Sequence, residues 1–151
     1  MATTVTFDDI VRLLRSGGLN FGIGTDNTVS LNIELSNGSF PVIVQFIMEK
    51  EIIVVYVNYP FKVIPDRINE IQTLISFINW GLLFSSCEYN YFKRNIRFRS
   101  TMLTDNQNFN PAQFSTVLST CCSIADKCFP AFKAVLESGI TAEEAEKLIK
   151  E

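Results

Sequence analysis

The sequence predicts an α+β fold: an antiparallel β-sheet with helices packed on one face. Three observations carry this. Apolar residues change from helical to alternating spacing and back in blocks, never in the strand–helix–strand repeat of a parallel sheet. An Asn37-Gly38 dipeptide, a tight-hairpin signal, separates two alternating segments. The 151 residues, 47% of them hydrophobic and 19% charged, suffice for one ordinary domain with a sizeable core, expected to span residues 1–151.

Each element follows from local pattern. Thr6 is a good N-cap with Asp9 three residues on, Phe7, Ile10, Val11 and Leu14 share a helix face, and Gly17-Gly18 stop the helix. From Phe21 to Val57 the period is that of strands. Phe21 and Ile23, then Val29, Leu31, Ile33 and Leu35, alternate with polar residues, and two apolar runs follow, Val42–Met48 and Ile52–Val57. These make an antiparallel meander. Pro65 suits a first helical turn, and Ile68, Ile71, Leu74, Ile75, Ile78 and Leu82 form the face of a second helix. Cys87–Phe92 and Ile96–Met102 read as a strand pair around Lys93-Arg94-Asn95. Asn110-Pro111 opens a long helix whose stripe runs through Phe114, Leu118, Cys121, Ala125, Cys128, Phe132 and Val135. Pro130 lies inside it, so a kink or local break is expected near 125–129. Gly139 ends that helix, and Thr141-Ala142-Glu143-Glu144 is a capping box for a short last one.

Composition removes several function classes. With no histidine, the chain lacks His-dependent triads, histidine metal sites and the usual general base near neutral pH. Its net charge of −3 supplies no global field for nucleic acid or acidic membranes. No apolar run reaches the length of a membrane span, and the N-terminal residues lack a secretory pattern. Cys87, Cys121, Cys122 and Cys128 show neither a disulfide framework nor the paired spacing of a zinc site, which points to a reducing, cytoplasmic setting. Three of them sit on the long helix, where the expectation is small core hydrophobes. Phe21-Gly22-Ile23-Gly24 lacks the third glycine, the lysine and the following helix of a phosphate loop, and reads as a twisted or bulged strand. Carboxylates such as Asp8, Asp9, Asp105, Asp126, Glu143 and Glu144 form no recognisable acid–base pair, so no enzyme and no cofactor are expected.

Two segments attract functional readings. In Val42–Met48 and Ile52–Val57 both alternating sets are mostly apolar, although an antiparallel sheet covered on one face normally turns polar on the other. The second face therefore wants cover, most simply from another copy across a two-fold interface. Phe46, Met48, Val55 and Tyr56 are the candidate contacts for such a homodimer or for a protein client. The alternative is a nucleic-acid or small-ligand face in Tyr89–Arg99, which interleaves aromatic and basic residues, with Tyr89, Tyr91, Arg97 and Arg99 as contacts. The glycine-bearing motif of an RNA-binding sheet is missing and excess positive charge is small, so nucleic acid is disfavoured.

Four short segments resemble the YbjN family of bacterial proteins. They are Ile78-Asn79-Trp80-Gly81-Leu82, the hairpin ending Ile96-Arg97-Phe98-Arg99, Ala125-Asp126-Lys127-Cys128-Phe129-Pro130, and Gly139-Ile140-Thr141-Ala142-Glu143-Glu144-Ala145. The likeness covers about residues 58–148 in motif order. It implies a fold similar to class I type III secretion chaperones: a helix, three strands, a helix, further strands and a closing helix, usually as a homodimer. Asp126 and Pro130 match an Asp-x₃-Pro pattern, and Gly139, Thr141, Glu144 and Ala145 match the turn into the last helix. The resemblance implies architecture at these positions and no catalytic or cofactor residue. The expected function is a non-enzymatic, chaperone-like or regulatory protein-binding module.

Overall fold

Alternation in the meander resolves into register. The computed structural model describes residues 6–104 and 110–149, so Asp105 lies outside the described residues. Strands β1 (Phe21–Ile23), β2 (Thr28–Glu34), β3 (Ser39–Ile47), β4 (Ile52–Lys62), β5 (Ser85–Asn90) and β6 (Asn95–Leu103) form one sheet in the order β1-β2-β3-β4-β6-β5. Every pairing is antiparallel. The helices are α1 (Phe7–Ser16), α2 (Ile68–Gly81), α3 (Pro111–Ser138) and α4 (Ala142–Glu146). This is the predicted α+β order.

One parity of the strands builds the core. A row across the sheet runs Leu31, Val42, Val57, Phe98 and Cys87, and the next row runs Val29, Val44, Val55, Ser100 and Ser85. Except for the half-buried Ser85, all of these are buried, beneath helical residues including Ile10, Leu14, Ile71, Leu74, Phe114, Cys121, Ala125 and Phe132. Side chains of the opposite parity lie on the face that no helix covers.

One of the family-like segments, residues 125–130, explains itself in α3. Pro130 has no N–H for the carbonyl four residues back, that of Asp126. The Asn37 side-chain amide donates to that carbonyl at 3.0 Å, while the Asp126 carboxylate accepts the Asn37 backbone N–H at 2.8 Å. The β2–β3 hairpin is thereby tied to the helix. Gly38 is required beside it, because a Cβ there would stand 2.8 Å from the Phe129 ring. The Tyr59 hydroxyl donates to the Ala125 carbonyl at 2.8 Å. The expected break is not formed, and α3 runs unbroken from Pro111 to Ser138.

The ends of α3 are closed as the sequence indicates. Asn110 accepts the Gln113 N–H, and Gly139 takes a left-handed conformation with φ of 66°. Beyond it, the Thr141 hydroxyl accepts the Glu144 N–H to start α4. Arg67 donates to the Val135 carbonyl in the last turn of α3, which has no intrahelical partner, and to the Ile140 carbonyl just beyond the helix. Pro65 opens a single 3₁₀ turn, Pro65–Arg67, ahead of α2 rather than α2 itself.

Candidate protein-interaction surfaces

The uncovered face has an apolar strip along β3 and β4, interrupted by Gln45 and edged by Thr28 and Thr101. Ile43 pairs with Tyr56, which pairs with Arg99, and Ile47, Ile52 and Leu103 form another row. Between them Val54 is only 3% exposed, although no helix lies over it. Its register neighbours are Gln45 and Thr101, of which Thr101 is exposed. The sequence argument for a second apolar face holds, but the residues differ from those expected. Val55 is fully buried and Phe46 nearly so, both under the helices. A strand's side chains alternate faces, and with both sets apolar the sequence cannot say which set points inward. Tyr56 does lie on the open face, half-buried, and Met48 is exposed in the 3₁₀ turn Met48–Lys50 between β3 and β4.

The basic–aromatic hairpin is divided between the two faces. Arg97 and Arg99 lie on the open face, where the Glu88 carboxylate accepts from Arg97 Nε at 2.8 Å and pairs with Arg99 Nη2 at 3.0 Å. The Arg97 guanidinium sits 4.2 Å from the centroid of the Tyr56 ring, a cation–π arrangement across the strand boundary. Tyr89, paired with Ile96, points to the helix side, and its hydroxyl is buried with no hydrogen-bond partner. Tyr91 is exposed at the hairpin tip against Phe92. The four expected contacts therefore do not form one ligand face.

A second apolar surface escaped the sequence reading. At the junction of α2 and β5, Trp80, Leu83 and Phe84 are 93%, 87% and 83% exposed. The signal was available in part. Trp80 is two residues beyond Ile78, about 200° round the helix, so it falls opposite the buried stripe. Beside this shoulder, the Asn79 side chain accepts the Cys87 N–H at 2.8 Å and donates to the Cys87 carbonyl at 3.0 Å. The amide thus occupies the outer edge of β5 as a strand would, which protects that edge from pairing with other chains.

The remaining features are structural or general. All four cysteines are free and buried. Burial pushes the Cys122 and Cys128 thiols up to about 12, leaving them neutral and unreactive at physiological pH. Among the described residues no cluster of cysteine and carboxylate side chains is placed to hold a metal ion, and no helix is long and apolar enough to cross a membrane. A cleft of about 530 Å³ lies between α1 and α3, with Leu14, Ile33, Leu35 and Leu118 among its walls.

Residues 6–134 match the family model described as "YbjN: Putative bacterial sensory transduction regulator". No curated protein matches the chain in sequence. Among solved structures, the chain resembles YbjN from E. coli, described as "a putative transcription regulator", with a TM-score of 0.60 at 14% identity over 99% of this chain and 92% of that one. It also resembles a chain of the ExsC–ExsE complex, with a TM-score of 0.57 at 16% identity over 80% of this chain and 90% of that one. A chain of the HopA1–SchA chaperone–effector complex follows at 0.53 and 8% identity, over 78% and 88% respectively. These likenesses are of fold, and the last two structures hold their chains in complexes with protein partners.

Proposed function

The chain belongs to the YbjN family, and from that membership we propose that it is a non-enzymatic protein-binding module, chaperone-like or regulatory, acting in the cytoplasm as a homodimer on a protein client. One observation carries the reading: the molecule keeps two separate apolar surfaces that its own helices leave uncovered. Folded monomers seldom expose such patches without a use for them. The open sheet face is broad and carries an apolar strip along β3 and β4, which suits a second copy. The shoulder of Trp80, Leu83 and Phe84 is small, prominent and rich in large side chains, which suits anchoring a segment of client. The complexes in which two chains of similar fold were crystallised support a protein partner.

The shoulder makes the client reading testable by substitution. Leu83 and Phe84 are exposed, so a Leu83→Ser/Phe84→Ser variant is expected to fold as the wild type does. Tagged wild-type protein purified gently from its own host is expected to retain a protein passenger that the variant loses. Equal passengers on both would move the client site elsewhere, and none on either would contradict the client. A second reading, a small-ligand sensor, draws on the α1–α3 cleft rather than on the hairpin. It requires a bound small molecule of defined mass.

A further inference from the structure

The open face is charged oppositely at its two ends. At the β3–β4 turn end lie Asp26, Glu49 and Glu51 with one cation, Lys50. At the other end lie Lys62, Lys93, Arg94, Arg97 and Arg99 around one carboxylate, Glu88, with Glu34 farther off on β2. In a chain of net charge −3, that basic end is a local reversal of sign. The acidic end and the apolar strip share the same strands, β3 and β4.

We propose that the open face is a self-complementary interface on which a second copy packs antiparallel, its acidic end over the basic end of the first. This rests on the homodimer reading above and specifies its surface and orientation. Two face-to-face arrangements have two-fold symmetry. An axis along the strands stacks like ends on like ends, bringing the two basic ends together. An axis across the strands reverses strand direction and brings each basic end to an acidic one, and charge selects this second arrangement.

Register fixes where the axis falls. The turn closed by Glu51, just before β4, stands three residues from Val54, while Arg99 and Arg97 lie opposite Tyr56 and Asn58. An axis crossing β4 at Val54 therefore carries the partner's acidic end to the level of Val57, between the two arginines. Val54, the most hidden apolar side chain of this face, then lies at the centre of the interface. Because the Arg97 guanidinium lies over the Tyr56 ring, it already leans towards β4, where the other copy's acidic turn arrives. Five strands at a spacing of about 4.8 Å and about seven residues long present roughly 550 Å² a side in projection, about 1,100 Å² for the pair, at the small end of specific interfaces.

Charge reversal tests this with the full chain. Arg97→Glu/Arg99→Glu and Glu49→Lys/Glu51→Lys each place like charges at both contacts of a homodimer. Mixed in equal amounts, they restore both contacts. Light scattering is expected to give a dimer for the wild type, a dimer weakened at least about tenfold for each variant alone, and recovered dimer in the mixture. The wild-type dimer is also expected to weaken as salt rises. A mixture that does not recombine overturns the orientation. Since the arginine variant also loses its internal pairing with Glu88, the Glu49→Lys/Glu51→Lys protein stands as an independent arm. A dimer unchanged in that variant overturns the interface while leaving the homodimer reading intact. A monomeric wild type overturns both.

Discussion

Val55 and Ile43 show how much a single register step decides. Both are apolar β residues in the interior of adjacent paired strands, yet Val55 is sealed under the helices and Ile43 looks out from the open face. Val55→Asp is expected to unfold the protein, because a buried carboxylate without a partner costs on the order of 3–5 kcal/mol. Ile43→Asp is expected to leave the monomer folded and to dissociate the dimer. Urea unfolding followed by circular dichroism, beside light scattering, separates the two. A folded, monomeric Val55→Asp protein would reverse the assignment of faces. At this scale the sequence was half legible: it showed that two apolar sets exist, and of the expected contacts Met48 is exposed and Tyr56 half-buried on the open face. It did not show which set faces inward, since alternation specifies a face only where the two faces differ in polarity. The same limit misplaced Phe46. Tyr89 and Arg97 were separated by a similar effect, an inward and an outward position on paired strands that their adjacency in a basic–aromatic run conceals.

Elements were read more securely, because their signals are local. Caps at Asn110 and Thr141, the Asn37-Gly38 turn, the left-handed Gly139 and the stripe along α3 all appear as expected. The exception is Pro130, where a kink or local break was expected and α3 continues as one helix through it. The reason is tertiary: the carbonyl that proline leaves without an N–H finds its donor in Asn37, 89 residues away in sequence. Asp126 therefore joins helix and hairpin through both its main chain and its carboxylate. Asp126→Ala keeps the helix and the backbone bond but leaves the Asn37 N–H without its acceptor. A loss of about 1–3 kcal/mol is expected in chemical denaturation, and a variant as stable as the wild type would show that the tie carries no stability. Asn79 belongs to the same class of long-range role. Nothing in its own segment announces that it closes the edge of β5.

Across the whole molecule, the block order of strands and helices was enough to establish the α+β class, and short segments spread along the second half were enough to suggest the YbjN family. Its surfaces were less legible. The sequence indicated a dry second face through an excess of apolar residues, but the opposite charge at its two ends depends on pairing β4 with β6 and on the turn that joins β3 to β4. The exposed shoulder depends on where α2 ends and β5 begins, a boundary that the helical spacing running on to Leu82 does not mark. The proposed function gives these surfaces a division of labour: one face for a second copy, one shoulder for a client. The most direct test is native mass spectrometry of the tagged protein purified gently from its own host, which reports subunit number and bound molecules in a single spectrum. A dimer carrying a protein passenger is the expected result. A bare monomer, or a monomer carrying only a defined small ligand, would contradict it.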